Sequence, residues 1–417
     1  MITQYPPQGS DSNNPVYVTF PPTATDAFGR LQVSSPYTLF DSQNRYAIDP
    51  QFSAATTGTG TTSYLANEAS VKLEVTAGGV GSVVRQSYRS MPYQPGKGLL
   101  VLATFVMDSS NSANLTQRVG YFNSANGVFF QKIDGTYSFV LRSSITGVAS
   151  DARTVAQSSW NGDKLDGTGP SGLTLDPSKA QILWMDFEWL GVGSVRCGFV
   201  INGVFYICHT FDNANIISSV YMTTAILPVR YEITSTSAVA AYLKQICSTV
   251  ISEGGYEQAS IEHVARRTSV FTNIDTAANF YPIVSIRLSS STLGAVVLPT
   301  RIQFQPTTLQ NYEIALIKNP TLTGASWTAV PSDSNVEYDV TATAISAAGT
   351  ICQTGYIANT GGGGQSSTVS PTGYNWDLQL GASLANVSDI YTLGVRTISG
   401  PTKGDGVGSI SFYDLTY

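Results

Sequence analysis

The sequence predicts an all-β protein: an extended N-terminal arm, a jelly-roll sandwich, and a second, C-terminal β-sandwich. Three observations predict it. Charged residues make up only 12% of the 417, roughly half the usual share. Ser, Thr, Asn, Gly and Tyr take their place, and these favour strands and turns, whereas helices draw on Glu, Lys, Arg and Ala. Short apolar or alternating runs recur along the chain, separated at close intervals by turn residues. On this reading helix stays below about 10% of residues.

Taken in order, residues 1–35 hold YPPQGSDSNNPVYVTFPPTATD, with too few apolar positions to fold alone, and are read as an arm that orders only against a neighbour. From 36 to 256 strands dominate. VKLEV, LLVLATFVM, QRVGYF and GVFFQKI each have strand length and β-rich composition. In KIDGTYSFVLR the pair Asp134-Gly135 sits between two strands, and Asn202-Gly203 does the same in GFVINGVFYI. Both are two-residue hairpin signals, because the central residues of a type I′ turn need positive φ. EQASIEHVARRTSVFTNID (257–275) is the one stretch with some helical character, and residues 257–274 are read as a linker. From 275 to 417 the β grammar returns (PIVSIRL, YEIALIKN, GTICQTGYI, IYTLGVR, SISFYDLTY), with a loop at Gly361–Gly364, giving the second sandwich.

Composition also excludes functions. The net charge is −6 and the densest basic cluster is Arg266-Arg267, so the basic footprint of a nucleic-acid binder is missing. MITQYPPQGS has neither a basic start nor an apolar core, so no secretory signal is expected. Apolar runs fall far short of the roughly 20 residues a membrane helix requires. With only His209 and His263, and four scattered cysteines without a CxxC pair, neither a zinc site nor a Ser-His-Asp triad is expected. No cofactor and no metal are expected. Asn161, Asp163 and Asp166 in WNGDKLDG miss the spacing of a calcium loop and are read as turn residues bonding locally. Trp160 in the same loop is read as a plug, with a loop contact to ligand as the alternative.

The stretch WMDFEWLG carries the strongest functional suggestion. Alternation puts Leu183, Met185, Phe187 and Trp189 on one face, and Trp184, Asp186 and Glu188 on the other. A loop at Gly191–Gly193 sets Glu188 opposite Arg196, Phe187 opposite Cys197 and Met185 opposite Phe199. The Asn202-Gly203 turn then sets Cys197 opposite Cys208 and Arg196 opposite His209. A meander with one apolar face and one face of Trp, Asp, Glu and Arg is how concanavalin-like jelly rolls are built. Laminarinase-like hydrolases of that fold carry Glu-x-Asp-x-Glu on such a strand, but Trp184 stands at the nucleophile position. A retaining mechanism needs two carboxyls roughly 5–5.5 Å apart, and an Arg partner lowers the pKa of an acid that must be raised. Trp184, Asp186, Glu188 and Arg196 are therefore candidates for a glycan-facing surface, with no catalytic residues, or for a polar sheet face with a cross-strand ion pair.

Longer stretches add a resemblance. DAFGRLQVSSPYTLFDSQNRY (26–46), YQPGKGLLVLATFVM (93–107), KLDGTGPSGLTLDPSKAQILWMDFEWLGVGSVRCGFVINGVF (164–205), LPVRYEIT (227–234) and LKQICSTVISEGGY (243–256) resemble a family of virion structural proteins of tailed, largely aquatic bacteriophages. YPIVSIRL, VVLPTRIQF, NPTLTGASW and VEYDVTAT are similar to the second half of longer members. The resemblance implies a β-rich, lectin-like virion component present in several copies. The expected function is thus a non-enzymatic structural part of the tail (fibre, spike or baseplate) that contacts host-surface glycans. A head decoration protein is the alternative within that class, and a polysaccharide-degrading tailspike hydrolase is the alternative from another. The expected partners are other virion proteins, further copies of the chain (a trimer would suit) and host glycan, without nucleic acid or membrane. The expected location is the virion, assembled in host cytoplasm. In that reducing compartment Cys197 and Cys208 are expected to stay thiols.

Overall fold

The computed structural model describes residues 35–257, 260–276, 278–331, 333–358, 367–369, 376–398 and 402–416. The expected arm therefore falls outside the described residues except at its last position, and so does the Gly361–Gly364 loop. Every strand pairing is antiparallel. Among the described residues there is no α-helix, only single 3-10 turns such as Ala66–Glu68, Gln157–Ser159 and Trp376–Leu378.

The first sandwich uses β1 (Tyr37–Gln43), β2 (Phe52–Gly58), β3 (Thr61–Leu65), β4 (Ser70–Val75), β5 (Gly81–Ser87), β6 (Leu99–Met107), β7 (Leu115–Phe122), β8 (Gly127–Ile133), β9 (Thr136–Ser143), β10 (Ser150–Ala156), β11 (Gln181–Phe187), β12 (Val195–Ile201), β13 (Val204–Phe211), β14 (Val229–Ser235) and β15 (Ala241–Ser252). One sheet has the order β13-β12-β11-β6-β15-β4-β3, with β1 also on β15, and the other runs β10-β9-β8-β7-β14-β5-β2. The chain repeatedly leaves one sheet for the other: β4 to β5, β6 to β7, β10 to β11, β13 to β14, β14 to β15. That is jelly-roll connectivity.

Alternation drives the layering. Along β6 every second residue from Leu99 to Met107 is buried, as period-2 geometry requires of a strand with one face inward. Between the sheets Phe130 meets Phe199 edge-on at 5.2 Å, and Phe139 packs on Trp160 at 4.7 Å. Aromatic pairs in such offset and edge geometries add about 0.5–1.5 kcal/mol beyond their area. Arg85 is buried among these layers. Its guanidinium donates to Gln245 Oε1 and to the Asp49 carbonyl and lies 5.0 Å from the Phe52 ring. Burial pulls its pKa down to about 10.

The second sandwich uses β16 (Glu262–Arg266), β17 (Phe271–Ile274), β18 (Tyr281–Leu288), β19 (Val297–Pro306), β20 (Tyr312–Lys318), β21 (Thr321–Thr323), β22 (Thr328–Ala329), β23 (Val336–Asp339), β24 (Ala344–Ala347), β25 (Thr350–Ile357), β26 (Ser367–Val369), β27 (Ile390–Thr397) and β28 (Gly404–Asp414). Its sheets run β16-β28-β19-β26, with β17 also on β28, and β22-β23-β18-β27-β20-β25, beside a small β21-β24 ribbon. The expected 257–274 linker is corrected here. Glu262–Arg266 and Phe271–Ile274 are strands paired with β28, so these residues belong to the C-terminal sandwich, and none of the described residues of the stretch is helical.

The two sandwiches are tied together by named contacts. Arg89 donates to the Trp376 carbonyl and to Gln51 Oε1, and lies 3.7 Å from Asp377. Trp376 Nε1 donates to Tyr37 Oη at 2.9 Å, Gln379 Nε2 to the Ser90 carbonyl at 2.7 Å, and Ala382 N to the Tyr88 carbonyl at 2.9 Å.

Candidate functional site

Strand β11 places Trp184 and Asp186 on the outer face of the first sheet, as alternation requires, with Met185 and Phe187 in the core. The register differs from expectation by two residues: Asp186, not Glu188, lies opposite Arg196, Phe187 faces Val195, and Met185 faces Cys197. The cause is the loop. It runs from Glu188 to Ser194, turning at Leu190 (φ 37) and Gly191 (φ 79), and Gly193 N closes it on the Trp189 carbonyl at 2.9 Å. A slip of two keeps every side chain on its face, so the faces were right and the partners wrong. Trp189 has left the strand altogether. Its indole N–H donates to the Met222 carbonyl at 3.2 Å, and its ring packs edge-on against Tyr93 at 5.8 Å.

The proposed glycan face changes character accordingly. Asp186 is 9% exposed and ion-paired with Arg196, whose side chain is half exposed. Glu188 sits in the loop, where its Oε1 accepts from Ser194 Oγ at 3.4 Å. The two carboxylates do not share a strand face, so the paired arrangement of a retaining glycosidase is not formed by them. Trp184 is only 3% exposed. Its indole crosses β12 over Gly198, donates to the Tyr206 carbonyl at 3.2 Å and meets Phe205 edge-on at 5.5 Å. A ring so covered is no stacking platform for a sugar.

Trp160 is a plug, 2% exposed, with its N–H donating to the Val155 carbonyl at 3.1 Å. Its neighbours hold the loop. Asn161 exchanges two hydrogen bonds with the backbone of Thr210, and the Asp163 carboxylate accepts from Leu165 N and Ser171 N. Burial raises the Asp163 pKa, but those bonds outweigh it and hold the carboxyl below its usual range. Among the described residues no group of His, Cys, Asp and Glu is arranged to hold a metal ion.

The β12–β13 pairing also corrects an expectation. It begins as foreseen, with Ile201 opposite Val204 around Asn202 (φ 54) and Gly203 (φ 78), but shifts between Cys197 and Gly198. Cys197 thus faces His209, Arg196 faces Thr210, and Cys208 is the extra residue of a bulge. Both cysteines are buried free thiols. His209 is buried too. Its ring stands edge-on to Phe211 at 4.5 Å, and burial, then the Arg153 charge, lower its pKa. His263 stacks on Phe412 at 5.7 Å.

A cluster that sequence reading missed lies on the outer face of the other sheet. Phe122 and Phe129 pack at 4.4 Å beneath three guanidinium groups, Arg118, Arg142 and Arg230, each within 5.0–5.8 Å of a ring. Asp151 bridges Arg142 and Arg118, and Glu232 bridges Arg118 and Arg230. The signal was present in QRVGYF and FVLR, where alternation turns the arginines outward. What the chain does not reveal locally is that three strands bring them together. The cluster's carboxylates are all ion-paired, so it is a closed lid over two phenyl rings.

No protein-family model and no curated protein matches the chain. Solved structures similar to parts of it include the carbohydrate recognition domain of Emp47p (TM-score 0.33, 8% identity, 52% of this chain and 95% of that one). The CBM2 module of the evolved Dit protein of Lactobacillus casei BL23 phage J-1 is similar at TM-score 0.35 and 5% identity, over 54% of this chain and all of that one. The exoplasmic/lumenal domain of VIP36 is similar at 0.32 and 9%, over 54% of this chain and 95% of that one.

Proposed function

We propose that the chain is a non-enzymatic structural component of a tailed-phage virion, carried on the tail, where it meets host-surface glycans. The Asp186–Arg196 ion pair carries the non-enzymatic part: it neutralises the one carboxylate that β11 presents where a catalytic acid would be needed. The virion part is supported by the sequence resemblance, and by two sandwiches clamped into one block through Arg89 and Trp376. Contacts with further copies or other virion proteins are supported by exposed apolar side chains along the β11–β13 edge, Ile182, Val204, Phe205 and Ile207, which are 37–51% exposed. Clustered exposed apolar groups mark interaction surfaces. The test is a density map of the whole virion with a bulky tag inserted at the Asn202-Gly203 turn. Extra density on the tail is expected. Density over the capsid would make the chain a head decoration protein, and host polysaccharide cleavage lost on Glu188→Gln would make it a hydrolase.

A further inference from the structure

Strand β17 is irregular where it meets β28. Phe271 pairs with Gly406 and Ile274 with Gly404, and the register shifts between them. Thr272 and Asn273 are consecutive and both exposed. Asn273 holds φ 65, and its N–H donates to Asp405 Oδ1 at 2.9 Å. Bulges of this kind re-aim side chains, and a left-handed non-glycine residue fixed by a hydrogen bond is a constraint the surroundings must hold in place.

The re-aimed side chains face a groove of about 440 Å³. Phe271 and Tyr281, edge-on at 5.9 Å, form an apolar wall. Arg267 and Lys403 bring two positive charges, and no Asp or Glu is among the described lining residues. Arg267 is fixed: Nε donates to the Ser269 carbonyl at 3.1 Å, Nη1 to the Val340 carbonyl, and the guanidinium lies 4.8 Å from the Phe271 ring. The nearby carboxylates already accept hydrogen bonds, two of them from groove residues. Asp405 holds Asn273 N, Asp275 accepts from Tyr281 Oη at 2.8 Å, and Asp339 accepts from Ser326 N, Thr341 and Ala342 N. Lys403 is exposed and has no carboxylate within ion-pair distance among the described residues. In a chain of net charge −6 this is a local concentration of cations beside a ring wall and an amide.

We propose that this groove binds a carboxylate-bearing saccharide, with Lys403 and Arg267 facing the carboxylate, Tyr281, backed by the buried Phe271, against the sugar's C–H face, and Asn273 and Thr272 at its hydroxyls. The assignment rests on the reading that the protein meets glycans, and it places that contact on the second sandwich rather than on β11. An oriented guanidinium suits a planar carboxylate, and a pre-fixed side chain loses less entropy on binding.

The experiment is calorimetric titration of the full chain with two probes, a hexameric oligogalacturonate and sialyllactose. Neutral controls are the methyl-esterified hexamer and lactose. The expected result is binding of at least one acidic probe, weakened by salt and roughly tenfold or more by Lys403→Glu, with the neutral control weaker by a similar factor. Asn273→Gly, which keeps the left-handed backbone, should weaken binding less than Lys403→Glu. Binding of neither acidic probe, equal binding by the neutral control, or equal binding by a folded Lys403→Glu variant overturns the proposal. Any of these leaves the tail assignment standing, because that is read from virion density. A capsid position leaves the groove result standing in turn.

Discussion

The indole of Trp184 reaches over Gly198 to donate its N–H to the Tyr206 carbonyl, 3.2 Å away on the next strand but one. A Cβ on Gly198 would stand 1.8 Å from the Tyr206 oxygen and 2.9 Å from Trp184 Nε1, so only glycine admits the crossing. Gly198→Ala is therefore expected to destabilise the first sandwich by about 3 kcal/mol, the upper end for overpacking. Denaturant unfolding monitored by tryptophan fluorescence measures it, and a change below about 0.5 kcal/mol, within the range of ordinary surface substitutions, would refute the account.

That crossing also marks how far the sequence could be read. Faces, hairpin turns and the all-β class follow from period-2 alternation and from Asp134-Gly135 and Asn202-Gly203, which are local signals. The β11–β12 register was not legible because it depends on Leu190 adopting φ 37, a conformation that nothing in a leucine announces. The bulge at Cys208 was hidden for a similar reason, since an extra residue leaves no trace in alternation. Residues 262–266 look like a linker because they lie between two strand-rich regions in a stretch with some helical character. Their strand character comes from β28, nearly the whole C-terminal sandwich away in sequence. The candidate site failed on burial: alternation turns Trp184 outward, but it does not show that Tyr206 and Phe205 of β13 cover its ring.

Asp151 offers a pH test. Burial raises its pKa, but the Arg142 hydrogen bonds, the Arg142 charge and the Arg118 charge outweigh this and leave it below the ordinary carboxylate value. A depressed folded-state pKa means that the unfolded chain binds the proton first, so stability rises with pH through that window. The contribution is present above the unfolded value near 3.9 and is lost as pH falls through the folded one. Asp151→Asn should lower the urea midpoint at pH 6 and shrink the fall between pH 6 and pH 3. An unchanged fall would show that Asp151 is not part of it.

Arg89 should govern whether the sandwiches unfold together. It is 7% exposed, lies 5.4 Å from the Phe40 ring and holds the Trp376 carbonyl. Arg89→Met keeps the stem's packing and removes the donors, leaving the Trp376 carbonyl without this partner. Calorimetry is expected to show one transition for the native chain splitting into two, or broadening, in the variant. A single transition of unchanged width would mean that the other cross-contacts suffice.

Glycan turnover should be indifferent to Glu188. Its carboxylate leans on Ser194, its own carbonyl accepts from Tyr221 Oη at 3.2 Å, and it has left the face that carries Asp186. Glu188→Gln is expected to leave host polysaccharide intact to the same extent as the native chain, measured by release of reducing ends. Cleavage by the native protein that disappears in the variant would reverse the non-enzymatic reading.

The cysteines give the last test. Cys197 and Cys208 are both 0% exposed, whereas Cys247 is exposed and Cys352 is intermediate. The bulge sets His209, not Cys208, in the pairing position opposite Cys197, so the opposed geometry from which a bridge would be drawn is not formed. Burial pushes both thiols up, Cys208 to about 12. Reaction with a disulfide reagent needs the thiolate and access together. At pH 8 in the native state, labelling is therefore expected at Cys247 first, at Cys352 more slowly, and at Cys197 and Cys208 only at the rate of unfolding. Adding denaturant should release the last two at once, because one core holds both. Peptide mapping after timed labelling decides it. Cys208 labelled as fast as Cys247, or a linked 197–208 peptide under non-reducing digestion, would mean that the bulge does not hold the thiols as described.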